Sequence, residues 1–349
     1  MQKNILLTLV ISLVIATIGF TSGNGRIKAN AAPAVDQPIN MASLLVPDTS
    51  TKHVTMADTN WKKAEESFTN KAPATKQDTT KKNVKNPLGK RTTMPIAKMD
   101  PFRPPQLTAG LKKAGNGDLQ GAIIDFDTCI KKNYKNYNAY FFKAKALIEL
   151  NKPTEALTNL DLAIEYNPMH PMFYYYRGKV FFDQGNIDSA YKDFDKAVTL
   201  KKDFVDALNY RGVTKEMKGK HTEAIEDYKA AIAINPQFAT AYYNKGTSEA
   251  SLALYIDAVA SFSKCVELDS TKTMGYMNRG NCYVMLKKYT SAIADYTKVI
   301  ALKPESSDAY YNRGAAYQFA GDQNSCIDWR KAESLGNKRA TDMIREYCK

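Results

Sequence analysis

Histidine is scarce in this 349-residue chain, with three in all (His53, His170 and His221), and none of the five cysteines lies in a C-x-x-C pair. Zinc and dithiol sites need clustered donors of those two kinds, so no metal site is expected. Also missing are G-x-S-x-G, H-E-x-x-H and any glycine-rich loop able to cradle phosphate, and the chain is therefore expected not to be an enzyme and to use no cofactor. Acidic pairs such as Glu226–Asp227 are sequence neighbours, which point in different directions from a helix and read as solvated faces. The apolar run from Ile5 to Phe20 is sixteen residues long, short of the roughly 20 that span a bilayer comfortably.

That run has a different reading. Lys3 precedes it, a polar stretch of small residues follows, and Ala29-Asn30-Ala31 matches an A-x-A cleavage site. The layout is that of a secretory signal peptide over residues 1–31, so the remainder is expected to be exported, periplasmic or secreted. An uncleaved N-terminal anchor is the rival, and membrane attachment is expected only in that case. No cysteine follows the run, which argues against a lipoprotein.

Residues 32–102 are rich in Lys, Thr, Pro and Asn, as in "NKAPATKQDTTKKNVKNPLGK". Apolar residues there are too sparse to offset the entropy of ordering, so a disordered basic linker is expected. "WKKAEESF", Trp61 to Phe68, is the one stretch with the makings of a brief helix. About half of the formal charge of +13 falls here, with twelve Lys/Arg against five Asp/Glu between residues 50 and 105. It reads as solvating charge, and no nucleic-acid partner is expected.

Beyond Phe102 the chain repeats itself every 34 residues. Gly110, Ala144, Gly178, Gly212, Gly246, Gly280 and Gly314 form one small-residue series. A second runs twelve positions later, Ala122, Ala156, Ala190, Ala224, Ala258 and Ala292, with Cys326 in the seventh place. Four positions after the alanines stand Phe126, Leu160, Phe194, Tyr228, Phe262 and Tyr296; prolines end units at Pro168, Pro236 and Pro304. Small, bulky and small residues at i, i+4 and i+7 share one helix face. Each unit therefore reads as a helical hairpin whose apolar face the next unit must cover.

This pattern resembles the tetratricopeptide repeat family. The resemblance implies an all-α solenoid over residues 103–340, in seven repeats: 103–136, 137–170, 171–204, 205–238, 239–272, 273–306 and 307–340. A capping helix is expected over 341–349, with Gly336 as a stop and Asn337 as its N-cap. The ends depart from the pattern: no aromatic precedes Gly110, and Arg330 stands where a bulky apolar residue is expected. Terminal repeats are often atypical because one face meets solvent.

The resemblance also implies a concave groove lined by the first helices, in which asparagines hold an extended peptide. Asn244, Asn278 and Asn312 occupy that position, and an amide offers both donor and acceptor to a peptide unit. The alternative is a tolerated polar residue in a Y-N-R-G consensus. Tyr176 and Tyr210 take the same position upstream, and Tyr175, Asn209, Tyr243, Met277, Asn281 and Tyr311 are further candidates for the wall. The two-carboxylate clamp of chaperone-binding relatives is not reproduced. Arg177, Arg211 and Arg279 each precede an aspartate by sixteen residues, Asp193, Asp227 and Asp295, as clips within a hairpin. Cys326 and Cys348 stand where an antiparallel cap would bring them together, as a disulfide or as two separate buried thiols. The expected function is a protein–protein interaction module binding an extended segment of a protein or peptide partner. The alternative is a scaffold or assembly factor of a cell-envelope complex, acting through its convex face or linker. Oligomeric state is not legible at this level.

Overall fold

A computed structural model describes residues 104–348. The expected leader, the basic linker and the stretch from Trp61 to Phe68 lie outside the described residues. Fifteen α-helices, and no strand, make up the described part. They pair as seven hairpins: α1 (Pro105–Gly115) with α2 (Leu119–Lys132), α3 (Tyr137–Glu149) with α4 (Pro153–Tyr166), and α5 (Pro171–Asp183) with α6 (Ile187–Leu200). Then come α7 (Val205–Met217) with α8 (His221–Ile234), and α9 (Ala239–Ser251) with α10 (Tyr255–Leu268). Last are α11 (Thr273–Met285) with α12 (Tyr289–Leu302), α13 (Ser307–Phe319) with α14 (Ser325–Ser334), and a single α15 (Lys338–Tyr347).

Local chemistry sets these boundaries. Pro153 and Pro171 open α4 and α5, where a missing N–H is harmless. Asp118, Asn136 and Asn186 each accept a backbone N–H from the first turn that follows. The short turn inside each hairpin needs one residue in the left-handed region, filled by Gly117, Gly185, Gly219 and Gly321 in four hairpins.

Packing within a hairpin follows from the small residues. A Cβ on Gly212 would lie 2.6 Å from the Tyr228 ring, so only glycine lets α7 and α8 approach this closely. Phe126, Leu160, Phe194, Tyr228 and Phe262 are all fully buried at the matching places. Each second helix also packs on the first helix of the following hairpin. The apolar clusters are large in the first four hairpins and shrink in the last three.

Arginines add a second clip. The Arg177 guanidinium donates to both carboxylate oxygens of Asp193, at 2.8 Å each, and reaches back 2.7 Å to Asp161 of the preceding hairpin. Those bonds hold its pKa above the ordinary arginine value. Arg211, Arg279 and Arg313 repeat the arrangement on Asp227, Asp295 and Asp328. Each joins its own second helix to the one before it, a role wider than the expected clip within one hairpin.

The last hairpin corrects the expected register. Its clip spans fifteen residues, from Arg313 to Asp328, and Trp329 rather than Arg330 packs beside Gly314. Ser325, not Cys326, takes the small-residue place and is buried. The one-residue offset turns Cys326 about 100° off the packing face. Released from the core, Cys326 forms a disulfide with Cys348, their Cα atoms 5.6 Å apart. The terminal helix begins at Lys338, inside the stretch assigned to the seventh repeat. The reason is that the Asn337 side chain already caps it by accepting the Arg339 N–H.

Candidate functional site

The first helices of the hairpins stand side by side, α1 against α3, α3 against α5, α7 against α9, α9 against α11 and α11 against α13, and α5 meets α7 through the Tyr175 and Tyr210 rings. Every residue expected in the groove lies on this wall. One rule governs how the wall is built. A residue three before the small position of one hairpin meets a residue two before it in the next, 35 residues on.

In the early hairpins those pairs are rings. Phe141 meets Tyr176 edge-on at 5.3 Å between centroids, and Tyr175 meets Tyr210 at 5.8 Å. The Lys145 and Lys179 ammonium groups lie 5.5 and 5.8 Å from the Tyr176 ring centre, within cation–π range.

In the later hairpins the same pairs are amides. Asn244 Nδ2 donates to Asn209 Oδ1 at 2.9 Å, and Asn278 Nδ2 donates to the Tyr243 hydroxyl at 3.1 Å. Asn312 Nδ2 faces Asn281 Oδ1 at 3.3 Å and Met277 Sδ at 3.5 Å. Asn281 also accepts from the Tyr296 hydroxyl at 2.7 Å.

These bonds revise the expected ladder. Asn244, Asn278 and Asn312 are 5%, 0% and 4% exposed. Their N–H groups hold adjacent hairpins together instead of standing open to a visitor. The carbonyl oxygens of Asn278 and Asn312 are buried too, and neither has a partner among the described residues. Anything these two side chains give a ligand must come from those oxygens. Tyr311 is also less available than expected: it is 5% exposed, with the Arg339 guanidinium 4.6 Å from its ring centre. Burial raises its pKa.

Sequence reading missed a buried polar seam between α7 and α9. Glu216 accepts from Tyr228 at 2.9 Å within its hairpin and from Ser248 at 3.0 Å in the next. Burial raises the Glu216 pKa, and the two hydroxyl donors oppose that rise. Beside it, Lys245 bridges Glu249 and Ser261. The available signal was Lys245 itself, the one lysine in a run of arginines from Arg177 to Arg313. Cys282 packs in the core of the fifth and sixth hairpins, and burial pushes its thiol up to about 12, which leaves it protonated and inert. No cluster of three or more His, Cys, Asp or Glu able to hold a metal ion occurs among the described residues.

Comparison with known proteins agrees with this geometry. Family models for the tetratricopeptide repeat match residues 143–203 and 239–272, and a TPR-repeat model matches 217–248 and 280–321. Among solved structures the chain is similar to the C-terminal part of a TPR repeat-containing protein from Cytophaga hutchinsonii. They share 21% identity, over 68% of this chain and 98% of that one, with a TM-score of 0.56. A tetratricopeptide repeat protein from Parabacteroides merdae gives 20% identity over 69% and 96%, with a TM-score of 0.51. YrrB, described as a TPR protein with an unusual peptide-binding site, gives 22% over 53% and 95%, with a TM-score of 0.48. No curated protein sequence matches the chain. With seven stacked hairpins, a period of 34 and these matches, the chain belongs to the tetratricopeptide repeat proteins, all-α solenoids that act as protein–protein interaction modules.

Proposed function

We propose that the wall of first helices binds an extended segment of a partner protein, with hairpins 5 to 7 reading its backbone. The supporting observation is the pair of buried, partnerless acceptors, Asn278 Oδ1 and Asn312 Oδ1, one hairpin apart on that wall. A buried acceptor without a donor costs about 1–3 kcal/mol. Peptide N–H groups of an extended strand would relieve both once the side chains that cover these two oxygens shift aside. A wall already braced by amide bonds needs little further ordering on binding, so most of the entropic cost falls on the peptide.

We further propose that the protein works in an oxidising, exported setting. The Cys326–Cys348 disulfide supports this, because such bonds persist mainly outside the reducing cytosol.

The test uses a displayed library of random peptides selected on the full chain. Recovered peptides are then titrated against Asn278→Ala and Asn312→Ala. The double variant is expected to weaken binding by about tenfold or more, corresponding to roughly 1.4 kcal/mol. Undiminished affinity in a folded double variant removes the groove reading and favours a scaffold acting through other surfaces.

A further inference from the structure

The seven hairpin turns occupy one edge of the stack, and they are not alike. In hairpins 1 to 3 they read Gly-Asn-Gly-Asp (115–118), Asn-Lys (151–152) and Gly-Asn (185–186). Those of hairpins 4 to 6 read Met-Lys-Gly-Lys (217–220), Leu-Ala-Leu-Tyr-Ile (252–256) and Met-Leu-Lys-Lys (285–288). Polar residues stand where Met217 and Met285 would fall upstream, at Glu149 and Asp183. The apolar side chains in the later turns are open to solvent: Ile256 is 74% exposed, Met217 53%, Leu254 45% and Met285 38%. Apolar groups this open in three adjacent units mark a contact surface.

Two further features specify its chemistry. Lys218, Lys220, Lys287 and Lys288 are interleaved with the apolar residues and exposed, against three exposed acids beside them, Asp188, Glu223 and Asp257. Lys218 and Lys220 are ion-paired, with Asp188 and Glu223, while Lys287 and Lys288 make no ion pair among the described residues. In addition, Ala253 and Lys287 hold φ values of +59° and +58° at the place where four other hairpins use glycine. Side chains are kept there despite the conformational cost.

We propose that this edge docks on the surface of an anionic lipid bilayer. Leu252, Leu254 and Ile256 enter the boundary between headgroups and acyl chains, and the lysines meet lipid phosphate and carboxylate groups. The balance of charge selects the occupant. A second copy of the chain would bring one lysine-rich edge against another, which is repulsive, whereas an anionic surface attracts it. No described helix is long and apolar enough to cross a membrane, so the contact is peripheral. This inference uses none of the groove residues and stands apart from the peptide reading.

An environment-sensitive dye on Ile256→Cys in the full chain tests it. The three unpaired native cysteines are buried, so labelling goes to the introduced thiol. A control carries the dye on Ile124→Cys, 65% exposed on α2. Vesicles of phosphatidylcholine with about 30% phosphatidylserine are compared with pure phosphatidylcholine. The expected result is a blue-shifted rise in emission at residue 256 alone, on anionic vesicles alone. Lys287→Gln with Lys288→Gln should weaken it about 25-fold, at roughly fivefold per lysine. A silent dye at 256 while the protein sediments with the vesicles overturns the proposal, as does an equal response on neutral lipid. A response without vesicles that grows with protein concentration also overturns it, and assigns the edge to self-association.

Discussion

Hairpins 2 to 4 and hairpins 5 to 7 share one backbone plan but join their first helices with different chemistry. Upstream, Phe141–Tyr176 and Tyr175–Tyr210 lock as rings inside large apolar clusters. Downstream, Asn244, Asn278 and Asn312 lock as amides, and the clusters around them are small. Rings gain from area removed from water, without strict direction. Amides gain little net energy but demand geometry, and they leave acceptors behind where the match is incomplete. The upstream half is therefore the stable one, and the downstream half is the one that holds hydrogen-bond acceptors without a donor.

Regional hydrogen exchange and urea unfolding can break this contrast, and the largest effect is expected upstream. Phe141→Ala removes a fully buried ring that touches Phe142, Phe173 and Tyr176, and should cost about 3–5 kcal/mol. A loss confined to a few tenths would show that rings do not dominate the early hairpins. At the opposite end, Cys326→Ser with Cys348→Ser opens the link across 22 residues and should cost about 3 kcal/mol. Exchange should then speed first in α14 and α15, while α3 to α6 stay protected.

Acid separates two places in the stack by sign. His170 lies stacked on Phe173, and burial followed by the Lys201 charge lowers its pKa from 6.5 to about 4. The folded state keeps it neutral, so its stability is present above 6.5 and lost as pH falls toward 4. The loss amounts to up to about 3 kcal/mol. Glu216 works oppositely. Its raised pKa means that the fold favours the protonated acid, and stability falls as pH rises from the ordinary glutamate value through the raised one. Between pH 7 and 4, protection should drop around α5 and hold or rise between α7 and α9. His170→Gln should abolish the first change alone.

The smallest effect sharpens the comparison. Asn278→Ala removes one bond to Tyr243, together with an acceptor that has no partner, and should cost about 1 kcal/mol. A cost near that of Phe141→Ala would mean that the amide wall is as rigid as the aromatic one.

The hairpins were legible because their rule is local. A glycine, an alanine and a ring at fixed offsets meet within one unit, whatever surrounds them, as Gly212 and Tyr228 do. The asparagines were legible as a column but not in their orientation. Asn278 finds its partner 35 residues away, and no local pattern states which face of an amide a neighbouring hairpin will occupy. Lys245 announced a break in the arginine series, yet only packing revealed the Glu216–Ser248 bond beside it.

By itself, the order of residues determined the hairpin, its period and its close helix contact, since each follows from helical geometry over a few turns. Tertiary structure alone decided which polar groups are satisfied between hairpins, and which turns stay bare. It also decided that a one-residue offset in the last hairpin sends Cys326 outward to Cys348. Those outcomes depend on neighbours distant in sequence, and a side chain's surroundings exist only once the stack has formed.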